Sequence, residues 1–260
     1  MIFVKNSAQL DKMRAAGRLL YEIMQRLREV IKPGETTAAI DAYAEEQIRR
    51  HRAVPSFLGY QGYPKSICTS IDDEVVHGIP SDQVILKEGS ILSLDCGLIL
   101  DGWQADSAFT VPIGRIGPEK QKLIEVTEAC FFAGARAAVA DSRLGDIGYA
   151  VQQLAESQGY GVVRDLTGHG IGRNMHEDPS VPNYGVAGHG VRLKAGMTLA
   201  IEPMITLGAW QVRQMEDGWT MKTLDGSPCA HYEHTVAVAA GKPEILTLPG
   251  YNFDAPAGVR

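Results

Sequence analysis

Asp95, Asp106, His169, Glu202 and Glu233 are the side chains in this sequence whose types and settings best suit chemistry, and each lies on a separate stretch that reads as a strand or a Gly-rich turn. Four carboxylates bring about four negative charges, which two divalent ions neutralise and one does not. An oxygen-rich set with a single imidazole suits Mn, Fe(II), Co or Mg better than a thiolate-seeking zinc site. If the five converge in space, they make a two-metal hydrolytic centre.

Local sequence argues for each. Asp95 ends the apolar run Ile91-Leu92-Ser93-Leu94, and Asp106 follows Asp101-Gly102, a dipeptide that favours a tight hairpin. With Leu100 and Trp103 flanking that turn, Gly97 faces Asp106, and alternation puts Asp95 diagonally on the same face as Asp106. The bland alternative is an acid on a hairpin's solvent face. His169 sits in Thr167-Gly168-His169-Gly170-Ile171-Gly172, where glycines let the backbone turn sharply. Gly188-His189-Gly190 repeats the tripeptide and serves as a control: alone it is weak evidence, and His189 reads as a loop residue. His169 differs in having His176 seven residues on, and GHGIGR does not match a dinucleotide-binding loop. Glu202 precedes Pro203, which implies a strand end or bulge. Glu233 lies in Ala230–Val236, which reads as one alternating strand; His231 shares its face, His234 does not, and neither is needed to complete the set. His77, between Val75-Val76 and Gly78-Ile79-Pro80, taken alone is a core or loop histidine.

The elements that must position these groups show a hidden repetition. Leu10, Met13, Leu20, Ile23, Met24, Leu27 and Val30 recur at helical spacing, with Asn6 or Ser7 as cap and Pro33-Gly34 as stop, and a second helix runs from about Thr37 to His51. Leu86 to Asp95 returns as Leu193 to Glu202, an offset of 107 residues. The same offset carries Ile40 to Ile147 and Ala44 to Val151, and a long helix over Pro118 to Val139 matches the first. The expectation is an α+β fold: one domain over residues 1–260, with halves roughly 7–115 and 116–245 sharing an antiparallel sheet, helices on one face and the site between the halves.

Charge and composition exclude several classes. A net charge of −6 and a pI near 5.7 argue against nucleic-acid binding. Cys68, Cys96, Cys130 and Cys229 have no framework spacing, which points away from disulfides and a structural zinc and toward a reducing cytoplasm. No stretch approaches the roughly 18 apolar residues of a membrane span.

On these residues the chain resembles the type I methionine aminopeptidases, a family of the pita-bread fold. The likeness runs from the first helix to about Thr247 and rests on YPKSIC at Tyr63–Cys68, VHGIP at Val76–Pro80, Asp95, Asp106, GHGIGR through His176, IEP at Glu202 and YEHT at Glu233. The resemblance implies removal of the initiator methionine from nascent chains when the second residue is small. It implies two divalent ions drawn from Mn, Fe(II), Co or Zn, one chelated by Asp95, the other completed by His169 and Glu202, with Asp106 and Glu233 bridging. A metal-bound hydroxide would attack the first carbonyl, Glu202 would relay the proton, and His77 and His176 would stabilise the oxyanion and position the scissile amide. The methionine pocket would comprise Phe57, Tyr60, Tyr63, Cys68, Met175 and Trp219. Also implied are a monovalent-cation site near Asp72-Asp73-Glu74, transient ribosome association, a monomeric state and no amino-terminal zinc-binding extension.

Phe57 stands where bacterial relatives often have cysteine, Asn174 where glycine is usual, Met175 where an aromatic is common and Val76 where cysteine is frequent. These departures touch the pocket wall and spare the ligand set. Competing expectations are an X-Pro peptidase of the same fold, whose large amino-terminal domain has no room here, and a metal-free binding module, in which ligands would be lost.

Overall fold

The computed structural model describes residues 1–254, so the 255–260 part of the expected domain lies outside it. Four α-helices occur among the described residues: α1 (Ser7–Val30), α2 (Thr37–Arg50), α3 (Pro118–Ala137) and α4 (Leu144–Ser157). Asn6 and Gln9 form a reciprocal capping box at the start of α1, and Met13, Leu20, Ile23, Met24 and Leu27 make its buried stripe. Gly17 lies within that stripe because a Cβ there would come within 2.3 Å of the Leu246 carbonyl oxygen. Helices α2 and α4 are both 14 residues long, and their first residues are 107 apart, as are the last residues of α1 and α3.

A nine-stranded sheet, antiparallel at every pairing, carries the helices on one face. Strand alternation sorts its residues. Leu92, Leu94, Cys96 and Leu98 of the Ile91–Leu100 strand join Leu20, Ile40, Phe131, Ile147, Leu199 and Val236 in one buried cluster drawn from both halves. Asp95 and Gly97 point the other way. The Asp101-Gly102 turn has both residues at positive φ, 51° and 76°, and its hairpin pairs Gly97 with Asp106 and Asp95 with Ala108, as the turn predicts. His169 of the Thr167–Gly170 strand pairs with Ala200, and Glu233 of the Glu233–Ala237 strand pairs with Ala108. Ala108 and Ala200 are small residues on the acid-bearing face, and they leave room beside the longer acids.

The Ala230–Val236 stretch, expected as one strand, is two. Cys229–His231 belongs to a three-stranded sheet with Met204–Thr206, whereas Glu233–Ala237 belongs to the large sheet beside Thr198–Ile201. Pro203 supplies the reason: it has no N–H for the ladder, so the regular ladder breaks where it faces Tyr232, and only the Tyr232 N–H donating to the Pro203 carbonyl at 3.3 Å bridges the gap. Register survives the break. His234 pairs with Ile201 and His231 with Met204, which leaves Glu233 directly opposite Glu202. Two acids of the second half thus meet at a shared kink.

An ion pair inside the protein ties the amino-terminal segment to the far half. Lys5 Nζ donates to Glu177 Oε2 at 2.8 Å with both side chains 5% exposed, and Glu177 Oε1 accepts from the backbone N–H groups of Arg173 and Asn174. That carboxylate holds the turn bearing Met175 and His176. Glu177→Ala strands the Lys5 ammonium in the interior and should cost about 3 kcal/mol, read as a lower denaturation midpoint in urea; a change under about 0.5 kcal/mol would contradict this account.

Candidate metal centre

All thirteen residues singled out above line one cavity of about 210 Å³. Asp106, His169 and Glu233 are buried, while Asp95 and Glu202 keep partial exposure toward the opening. His169 Nδ1 donates to the Gly170 carbonyl at 2.9 Å, which fixes the ring and leaves Nε2 free, 3.7 Å from Glu202 Oε1 and 3.9 Å from Asp106 Oδ2. The Asp106 backbone is pinned by Thr235, whose hydroxyl accepts from its N–H at 3.0 Å and donates to its carbonyl at 2.9 Å. Asn183 steadies Glu202 by donating to its carbonyl oxygen at 2.9 Å.

The electrostatics are those of a cation site. Burial lifts the Asp106 carboxyl to about 7. Burial, reinforced by the negative charge of Asp106, also raises Asp95, Glu202 and Glu233 well above the ordinary carboxylate range. His169 is pulled down to about 3 by burial and His77 to about 4, so both imidazoles are neutral near pH 7. Asp95 Oδ1, Asp106 Oδ1 and Glu233 Oε1 are buried without a hydrogen-bond partner. Unpartnered oxygens at this density cost about 1–3 kcal/mol each, and divalent cations are the ligands such a set of lone pairs fits. Among the described residues, two groups of three ligand atoms stand close enough for an ion, Asp106 with His169 and Glu233, and Glu202 with His231 and Glu233.

One side of the cavity is apolar. Phe57, Tyr63, Cys68 and Met175 form a buried cluster against which Tyr60 and Trp219 pack, with the Tyr63 and Trp219 rings edge to face at 5.0 Å. At the exposed mouth, His176 Nδ1 lies 2.7 Å from the Tyr60 hydroxyl, and its ring is 4.3 Å from that of His169. His77 adopts the left-handed conformation at φ 60°. Its successor is boxed in, since a Cβ on Gly78 would come within 2.1 Å of the Thr69 carbonyl oxygen.

His189 is exposed in a loop, its Nδ1 donating to the Ala187 carbonyl. The acids Asp72, Asp73 and Glu74 are engaged by Lys120 and Lys222. Gln61, Leu166 and Met204 also line the cavity and lie outside every motif quoted above, whereas Val76 and Thr167 line it from within the stretches that carry His77 and His169. His231, which the charge count does not need, has its Nε2 3.8 Å from both Glu202 Oε2 and Glu233 Oε2.

The model of metallopeptidase family M24 matches residues 11–240. A methionine aminopeptidase of Clostridium acetobutylicum is 53% identical over 248 residues, covering 95% of this chain and 99% of its own length. The crystal structure of methionine aminopeptidase from Rickettsia prowazekii aligns with a TM-score of 0.94 at 43% identity, over 95% of this chain and 100% of that one. Prolidase from Pyrococcus furiosus, 18% identical, shares the fold alone, with a TM-score of 0.72 over 95% of this chain and 66% of that one. The fold is the pita-bread fold, and the chain belongs to metallopeptidase family M24, among its bacterial-type methionine aminopeptidases.

Proposed function

We propose that this chain removes the initiator methionine from newly made polypeptides by hydrolysing the first peptide bond when the second residue is small. One observation carries the reading: unpartnered carboxylate oxygens and a wall of aromatic rings, thioether and thiol meet in a single cavity. A thioether side chain suits such a polarizable wall, and a peptide bond one residue from it would lie against the acids. Asp95, Asp106, His169, Glu202 and Glu233 would hold two divalent ions, with Asp106 and Glu233 serving both. Such ions, when bound, supply Lewis acidity to a carbonyl and lower the pKa of water.

The chain's own side chains do the rest. Glu202, at the strand end beside Pro203, takes the proton released as the bond is attacked and passes it to the departing amine. A Tyr60 hydroxyl that donates to His176 Nδ1 leaves Nε2–H as that ring's donor, the form needed to stabilise an oxyanion. His77, uncharged near neutral pH, positions the scissile amide. The aromatic wall excludes water from the methionine side chain. No helix among the described residues is long and apolar enough to cross a membrane. We place the work in the cytoplasm, by a monomer meeting amino termini at or near the ribosome.

Purified protein supplied with Mn or Co should cleave Met-Ala-Ser, leave a peptide with a bulky second residue about 100-fold slower, and spare an X-Pro peptide. Cleavage of the X-Pro peptide in preference to Met-Ala-Ser would overturn the substrate assignment.

A further inference from the structure

His231 lies outside the five-residue ligand set, but the structure treats it much as it treats His169. Its side chain is 2% exposed, and its Nε2 is buried with no hydrogen-bond partner. That nitrogen stands 3.8 Å from Glu202 Oε2 and 3.8 Å from Glu233 Oε2, against 3.7 and 3.9 Å for His169 Nε2 and its two carboxylates. Separations of this size are too long for hydrogen bonds. They are right for atoms that share an ion, since two ligands each about 2.1 Å from one metal lie no more than about 4.2 Å apart. Glu202 is the hinge of the arrangement: Oε1 turns toward His169 and Oε2 toward His231. Backbone contacts keep His231 in place, its N–H donating to the Thr110 hydroxyl at 2.9 Å and its carbonyl accepting from that hydroxyl at 2.8 Å.

We propose that His231 is a sixth protein ligand, through Nε2, making this a dinuclear centre with two imidazoles in place of one. The inference rests on the dinuclear reading above. It follows that the second ion is held by nitrogen as well as carboxylate oxygen. Such a site favours Co, Fe(II) or Zn over Mn and Mg, because imidazole suits the former and carboxylate alone suits the latter.

The test is X-ray absorption on the wild-type protein loaded with Co(II), counting bound metal and imidazoles per metal. Two ions with an average of one imidazole per ion support the proposal, whereas two ions with an average of one-half overturn it and leave the dinuclear reading standing. Uptake of only one ion removes both. The variant His231→Gln, followed by the visible absorption of Co(II) during titration, should lose the weaker-binding ion by at least about tenfold while its Mn affinity changes less. An unchanged titration also overturns the proposal. Since wild-type protein settles the imidazole count, a variant that fails to fold does not blunt the test.

Discussion

Asp106→Ala should lower kcat/KM on Met-Ala-Ser by on the order of a thousandfold or more and abolish tight binding of at least one divalent ion. Asp106 is the electrostatic centre of the site, because its charge bears on Asp95, Glu202 and Glu233 alike. Its position follows from the hairpin, which sets it opposite Gly97 with room for the carboxylate: a Cβ on Gly97 would stand 3.2 Å from Asp106 Oδ1. Asp106→Asn keeps the shape and removes the charge, so metal binding by calorimetry should weaken in both variants. Activity of Asp106→Ala within tenfold of the wild type would sink the metal assignment.

Removing metal should reveal a pH dependence of stability that the metal-loaded protein lacks. Two sets of groups act in opposite directions. His77, His169, His231 and His234 are held by burial at about 4, 3, 3 and 3, so at these four groups the unfolded chain binds more protons than the folded one up to about pH 6.5, and their contribution to stability rises with pH to that point. Asp106 is raised to about 7, and Asp95, Glu202 and Glu233 are raised well above the ordinary carboxylate range, so at these four acids the folded chain binds more protons from about pH 4 upward. Their contribution is present at low pH and lost as pH climbs through their folded values. Above pH 6.5 the histidines no longer offset this, and the metal-free melting temperature should fall by on the order of 5–10 °C by pH 8.5. Divalent ions replace those protons, so the melting temperature gained on adding Mn should grow over the same interval. Thermal melts of chelator-treated protein that rise steadily from pH 6.5 to 8.5 would refute the electrostatic account.

Much of this site is written in local sequence. The Asp101-Gly102 turn determines the register that brings Asp95 and Asp106 to one face, because a two-residue hairpin has one pairing. The offset of 107 residues marks helices α2 and α4 in advance, since each half must bury the same kind of stripe. Other features depend on pairings between distant strands, and alternation says which face a residue takes without saying which strand stands beside it. The kink shared by Pro203 and Tyr232 is such a case: Pro203 alone signals an interruption, Tyr232 reads as ordinary strand, and only their juxtaposition puts Glu202 opposite Glu233. The link from Lys5 to Glu177 spans 172 positions and leaves no local trace. His231 is hidden for a different reason, since two divalent ions already balance four carboxylates and charge counting does not notice a neutral imidazole.

Cys68 has a consequence for inhibitor design. Burial, with the charge of Asp95 beside it, pushes this thiol well above its usual titration range. Thiolate, not thiol, is the nucleophile in alkylation. An electrophile shaped like methionine would therefore reach the floor of the pocket and find a protonated, unreactive sulfur. Covalent drugs aimed at Cys68 would have to carry their own base or rely on warheads that do not wait for deprotonation.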